Sequence, residues 1–408
     1  MTHVVVVGAG QAGLALVARL RAEGFDGTIT LIGAEPHPPY QRPPLSKDYL
    51  LGELPRERLY LRPEAFYSEH GIDLRLGAEA AAIDTGRRVV TLVTGAEIPY
   101  DELVLCTGST PRRLPAAMGG DLRGVHTMRD IRDADALAPE MVPGRPALVV
   151  GGGYIGLEGA AVAAQRGLRV TVVEMAPRIL ARVAAPETAD YIRALHRAHG
   201  VEIREETGLD RLLDDGQGRV RGARLSDGAE VAADLVLVGI GIVPNTALAE
   251  SAGIAVENGI RTDEYGRTSA PHVWAAGDCA SFPHGEGRIR LESVGHAIDQ
   301  AETVARNILG AETPYRAAPW FWSDQYDCKL QIAGLGTGHD RIVVRSAGAG
   351  EQAPRSHWYF RGDRLLAVDA MNDPRAYMIG KRLIEAGRSP APEVLADPAT
   401  DLKALLRA

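Results

Sequence analysis

The sequence predicts an α/β protein made of two nested strand–glycine turn–helix units, followed by a C-terminal α+β domain. Three observations carry this reading. The β-branched run Val4–Val7 leads directly into Gly8-Ala9-Gly10-Gln11-Ala12-Gly13. The same order recurs where Ala147–Val150 leads into Gly151-Gly152-Gly153-Tyr154-Ile155-Gly156. Beyond residue 318 the pattern changes to short aromatic and β-branched runs separated by turn residues.

In the first unit Leu14, Val17 and Leu20 recur at helical spacing, and a second strand, Thr28–Ile32, ends beside Glu35. Strand, glycine turn, helix, strand and acid in that order form a Rossmann-like dinucleotide unit. Gly8 permits the turn, Gly10 lets the backbone approach a pyrophosphate, and Gly13 allows close helix–strand packing, while the helix N-terminus supplies free N–H groups and a positive dipole end. Glu35 is placed to accept hydrogen bonds from an adenosine ribose. In the second unit the helix runs through Val162 and the strand Val170–Val173 closes on Glu174. One Gly-x-Gly-x-x-Gly is weak and could be no more than a tight turn in a parallel sheet. Two, each in the required context, are strong. Glu174 is followed by Met175 and Ala176, and its carboxylate would repel a 2′-phosphate, so NADH is preferred over NADPH. Arg178 and Arg182 nearby are the opposing charges.

Between the loops, the apolar strand Leu103–Leu105 ends at Cys106-Thr107-Gly108-Ser109, and Leu235–Val238 ends at Gly239-Ile240-Gly241 before Pro244. Both read as crossings from one domain to the other, so the second dinucleotide domain (113–243) is inserted in the first (1–112 and 244–318). A strand within 272–278 ends at Gly277-Asp278, and a helix beginning near Glu292-Ser293-Val294 follows. The tail, 319–408, opens on Trp320, Phe321, Trp322 and Tyr326. Strand-like runs follow at Leu330–Ala333, Ile342–Arg345, His357–Phe360 and Leu365–Val368, then a helix near Pro374–Ala386, which together read as an antiparallel sheet plus helix.

Composition narrows the function. With 408 residues, 45% hydrophobic and 24% charged, the chain is an ordinary multidomain globular protein. A net charge of −8 argues against nucleic-acid binding. No apolar run is long enough to span a bilayer, because the longest, Ala147–Ala164, is broken by glycines and Glu158. The absence of a leader pattern before Val4–Val7 gives a cytoplasmic expectation. Cys106, Cys279 and Cys328 lie far apart and read as small buried hydrophobes; neither a disulfide framework nor a metal site is expected.

Several of these segments together resemble a family. They are Arg42-Pro43-Pro44-Leu45-Ser46-Lys47, Cys106-Thr107-Gly108, Gly151 to Glu158, Gly277-Asp278, Glu292-Ser293-Val294, and Ala318-Pro319-Trp320-Phe321-Trp322-Ser323-Asp324-Gln325-Tyr326. Over essentially its whole length the chain resembles the glutathione-reductase-like flavoproteins and, within them, NADH-dependent ferredoxin reductases of the putidaredoxin reductase type. The resemblance implies FAD at the first loop (Gly8, Gly10, Ala12, Gly13) and NADH at the second (Gly151, Gly153, Tyr154, Ile155, Gly156). It implies Glu35 at the adenosine ribose, Ala80 at the adenine, Lys47 by the flavin ring and Arg129 as a cofactor contact. Asp278 would bind the ribityl chain, and Val294 would present its N–H to the flavin pyrimidine. Arg42, Thr107, Gly108, Gly241, Gly277, Glu292 and Ser293 fall in the same cofactor-binding segments. Some relatives carry the ribose acid one position earlier, where this chain has Ala34.

The resemblance also brings Lys47 and Glu158 together beside the flavin as the expected catalytic pair, an ammonium favouring reduced flavin and a carboxylate steadying it. Without the motif context they read as a surface cation and a helix charge. Tyr154 either shields the flavin face or packs as a helix-start aromatic; Trp322 lies near the flavin edge or in the core. The segment Pro38–Tyr49, where a flavin-reactive cysteine would fall, contains none. Electrons must therefore leave to an outside acceptor, and the resemblance names a two-iron two-sulfur ferredoxin serving a haem monooxygenase or other oxygenase. Arg62, Arg306, Lys381 and Arg382 are candidate docking cations. The alternatives are reduction of a small organic radical or quinone, or an apoptosis-inducing-factor-like NADH sensor. A monomer or weak dimer is expected.

Overall fold

The computed structural model describes residues 1–346, 348, 350 and 353–407. The chain forms two compact units.

The first unit comprises Met1–Gln41, Pro55–Thr110 and Ile242–Pro319. Its centre is a five-stranded parallel sheet in the order Val273–Ala275, Glu102–Leu105, His3–Val7, Thr28–Ile32, Ile72–Arg75. Val4, Val5 and Val6 are fully buried, as a parallel strand covered on both faces requires. One face packs against the helices Gln11–Ala22 and Val294–Ile308 through Leu14, Val17, Leu20, Ala301 and Val304. The other face meets a core that includes Ile83, Val90 and Ile98 of the antiparallel strands Ala80–Asp84, Val89–Leu92 and Glu97–Pro99.

The second unit comprises Arg42–Leu54, Pro111–Gly241 and Trp320–Ala408. It repeats the parallel order: Val125–His126, Leu235–Val238, Pro146–Val150, Arg169–Val173, Glu202–Arg204. In both sheets the strand before the glycine turn is central and the crossing strand lies beside it. The C-terminal part is a five-stranded antiparallel sheet in the order Trp320–Gln325, Cys328–Gly334, Arg364–Met371, Arg355–Arg361, Arg341–Ser346. The helix Pro374–Glu385 covers it through Tyr377, Ile379 and Leu383. The segment Arg42–Leu54 follows the first glycine unit in sequence yet packs in the second, where Leu50 joins the core with Leu157, Leu330 and Met371.

Candidate functional site

The two glycine turns are built alike. At Gly8, with φ +119°, an added Cβ would lie 2.0 Å from the carbonyl oxygen of Cys106; at Gly13 it would lie 2.0 Å from the carbonyl of Gly8. In the second turn Gly151, with φ +106°, would meet the carbonyl of Gly239 at 2.4 Å, and Gly156 that of Gly151 at 2.1 Å. Backbone packing thus excludes side chains at the outer glycines, against the end of the crossing strand at Gly8 and Gly151 and against the turn's own first carbonyl at Gly13 and Gly156. The middle glycines differ: a Cβ at Gly10 or Gly153 meets no atom within 4 Å. Each is the N-cap of its helix, Gln11–Ala22 or Tyr154–Gln165, with no side-chain cap and no acid in the first turn. Each helix start therefore keeps its unpaired N–H groups and positive dipole end for an anion. Both turns fit a pyrophosphate, with Ala12 in the first and Ile155 exposed at the second.

Around the first turn, Gly277 (φ +84°) would bring a Cβ within 3.0 Å of Ala12 Cβ. Its N–H donates to the buried Gln300 side chain at 2.9 Å. Asp278 next to it accepts from Ser109 Oγ at 2.9 Å, and its carbonyl accepts from Arg290 at 3.2 Å. Arg290 also pairs with Glu292 at 2.6 Å. The helix of this unit starts at Val294, as expected, with Ser293 as N-cap accepting from His296 N–H at 3.3 Å. Glu35 is half-buried and accepts from Tyr40 OH at 2.5 Å; Ala34 beside it is exposed. Ala80 opens a strand of the antiparallel sheet.

Asn245, which the sequence reading passed over, stitches the crossings. Its side-chain N–H donates to the Thr107 carbonyl at 2.8 Å, Thr107 Oγ donates to its carbonyl at 2.7 Å, and its backbone N–H donates to the Gly108 carbonyl at 2.9 Å. A polar residue after Val243-Pro244 was the only signal.

In the second unit Glu174 closes the glycine turn on itself. Its two carboxylate oxygens accept from Gly152 N–H and Ala176 N–H, each at 2.7 Å. Arg178 turns away and donates to the carbonyls of Ile179, Ala181 and Ala184. Arg182 lies near Gly241, which has φ +97°. Arg42 donates to the Arg129 carbonyl at 2.9 Å.

Lys47 and Glu158 meet here. Lys47 Nζ lies 3.1 Å from Glu158 Oε1, and Glu158 is 2% exposed. Burial pushes the Glu158 carboxyl up; Lys47, Ser46 and Ser323 pull it down. Ser46 Oγ donates to Glu158 Oε2 at 2.6 Å and Ser323 Oγ to Oε1 at 2.7 Å. Lys47 Nζ also sits 5.8 Å from the centre of the Trp322 ring, which stacks on Trp320. The Tyr154 ring lies against that of Phe321, with centres 4.8 Å apart.

All three cysteines are free and buried, and burial holds each thiol above its ordinary range, Cys328 up to about 12. None offers a thiolate. Among the docking cations, Arg306 is already paired with Glu23 and Glu302, and Lys381 with Glu385. Arg62 lies over the Phe66 ring, and Arg382 is exposed. Among the described residues no helix is long and apolar enough to cross a membrane, and no metal-binding cluster occurs.

Comparison with known proteins gives a consistent picture. The pyridine nucleotide-disulphide oxidoreductase family matches residues 2–301, and the reductase C-terminal family matches residues 320–406. A ferredoxin–NAD(P)(+) reductase of Sphingomonas sp is 46% identical over 94% of this chain and 94% of its own. Putidaredoxin reductase of Pseudomonas putida is 41% identical over 100% of this chain and 97% of its own. The crystal structure of the covalent putidaredoxin reductase–putidaredoxin complex matches with a TM-score of 0.95 at 40% identity, covering 100% of this chain and 98% of that one.

Proposed function

The chain belongs to the pyridine nucleotide-disulphide oxidoreductase family, and from that premise we propose that it is a FAD-dependent ferredoxin reductase. It takes electrons from NADH and passes them singly to a two-iron two-sulfur ferredoxin that serves an oxygenase. The observation that carries this is the pair of glycine cradles, each open at its middle glycine, in a chain whose three thiols are all buried and protonated. Bound FAD supplies the conversion from paired to single electrons, which nicotinamide does not readily perform.

In this reading the helix starts after Gly10 and Gly153 hold the two pyrophosphates. Glu35 and Ala80 take the adenosine end of FAD, Asp278 its ribityl chain, and Val294, first residue of its helix, its pyrimidine. Thr107, Gly108, Gly277, Glu292 and Ser293 shape that site; Arg42 and Arg129 border the flavin. Lys47 is the cation at the flavin, and Glu158 fixes its position and charge. Tyr154 and Trp322 line the nicotinamide and electron-exit sides. Glu174 orders the second turn and turns away a 2′-phosphate, and with Arg178 spent on backbone carbonyls NADH is the donor. The FAD domain is 1–112 and 244–318, the NAD domain 113–243, and 319–408 the third domain. The protein works in the cytoplasm as a monomer or weak dimer.

The test is NADH-driven reduction of a panel of two-iron two-sulfur ferredoxins, run in parallel with NADPH. Ferredoxin reduction with a clear NADH preference is expected. Turnover of a small quinone or organic radical with no ferredoxin reduced would overturn the proposal.

A further inference from the structure

A carboxylate buried as deeply as Glu158 tends to protonate, and a neutral Glu158 would leave Lys47 without a counter-charge. The groups acting on Glu158 are the Lys47 ammonium, the hydroxyls of Ser46 and Ser323, and Tyr154 on its own helix. Behind Ser323 the polar groups continue. Gln325 Nε2 donates to Ser323 Oγ at 3.0 Å, Gln325 Oε1 lies 2.8 Å from His196 Nε2, and His196 Nδ1 lies 3.3 Å from Tyr326 OH. Ser323, Gln325 and His196 are 0%, 1% and 0% exposed.

Hydrogen-bond chemistry fixes the direction of this chain. An ionised Glu158 only accepts, so Ser323 gives it its single proton and must accept from the Gln325 amide nitrogen. The Gln325 carbonyl then faces His196, whose Nε2 must carry a proton. Nδ1 is left to accept from Tyr326. Burial keeps His196 neutral, holding its pKa down at about 4, as this tautomer requires. Every donor from Tyr326 to Ser323 points towards the carboxylate, and such chains polarise cooperatively. The far end reaches solvent, where the exposed His199 stacks on Tyr326 with ring centres 3.7 Å apart.

We infer that Ser323, Gln325 and His196 form a directed relay, running from the C-terminal sheet and the Pro186–Ala198 helix, that holds Glu158 ionised beside Lys47. They are positioning residues; none is itself placed at a reacting atom. Their consequence for turnover rests on the role proposed for Lys47, whereas the ionisation of Glu158 does not.

The test is an infrared pH titration of the protonated-carboxyl band of Glu158, assigned by its loss in Glu158→Gln and recorded with and without FAD. Ser323→Ala should move that titration upward by about one pH unit, as expected for losing a hydrogen bond to a buried charge, and Gln325→Leu, which acts only through Ser323, should move it in the same direction by less. Ser323→Thr, which keeps the hydroxyl, should restore it. In stopped-flow, the pH profile of flavin reduction by NADH should shift by the same amount. An unmoved Glu158 titration in both Ser323→Ala and Gln325→Leu overturns the relay. A moved titration with unchanged flavin-reduction profiles leaves the relay standing and overturns the role of Lys47.

Discussion

Lys47 and Glu158 form an ion pair whose anion is the more deeply buried partner: Nζ and Oε1 are 3.1 Å apart, with side chains 12% and 2% exposed. Such a pair is costly to half-remove. Deleting one partner strands the other, at roughly 3–5 kcal/mol, while replacing both with apolar groups is often near neutral. Lys47→Ala should therefore destabilise the protein more than the double variant Lys47→Met/Glu158→Leu, and chemical denaturation of the apoproteins measures this. The same Lys47→Ala, loaded with FAD, should reduce its flavin with NADH more slowly than wild type in stopped-flow. Equal rates would remove Lys47 from the chemistry.

The glycine turns separate folding from binding. Gly13→Ala places a methyl 2.0 Å from the Gly8 carbonyl and Gly156→Ala one 2.1 Å from that of Gly151, so both should lower stability and yield. Gly10→Ala and Gly153→Ala meet no protein atom within 4 Å. Their apoproteins should melt close to wild type, within about 1 kcal/mol. Gly10→Ala should purify with less flavin per chain. Gly153→Ala should retain FAD and raise KM for NADH. The flavin-to-protein absorbance ratio and KM are the readouts; normal flavin content in Gly10→Ala would mean that the pyrophosphate does not approach there.

Glu174 couples cofactor choice to loop order, since its carboxylate accepts from Gly152 and Ala176 N–H groups. Glu174→Ala leaves both donors unpaired and removes the charge opposing a 2′-phosphate. The expected outcome is a higher KM for NADH and a fall of roughly tenfold or more in the NADH/NADPH ratio of kcat/KM, on the order of one charge-assisted hydrogen bond. A ratio that stays at the wild-type value would place the selectivity elsewhere.

These tests follow the line between what the sequence discloses and what only packing supplies. Periodicity two and 3.6 with glycines at fixed offsets located both turns, both acids and the helix at Val294, because these are local patterns. Nothing local tells that Arg42–Leu54 folds with the second unit. That depends on Leu50 joining a distant core and on Glu158, which stands in a helix as an ordinary charge until its burial is seen. Gln325 and His196 lie 129 residues apart, and only strand and helix packing brings them to 2.8 Å. Asn245 escaped notice for the same reason: its partners lie across the chain crossing.

Acid should expose a different set of buried groups. His196, His296 and His357 are buried, and desolvation lowers each to about 4 from the usual 6.5. The unfolded chain binds these protons at higher pH than the folded one. Their contribution is therefore fully present above pH 6.5 and is lost as pH falls towards 4. Asp369 opposes them: burial raises it to about 6, so its contribution is present below the unfolded value near 3.8 and is lost as pH rises through 6. Glu158, also raised by burial, opposes them in the same sense; three imidazoles still outnumber these two carboxylates, and stability should fall with acid at a limiting slope of about 1.4 kcal/mol per pH unit for each unbalanced proton. Denaturant melts from pH 7.5 to 4.5 should show that fall, and His296→Gln should flatten it by about one proton. For Asp369→Asn the acid loss should instead steepen, because one opposing proton is gone. A pH-independent wild-type stability across this range would mean that the three imidazoles are not held neutral in the folded chain.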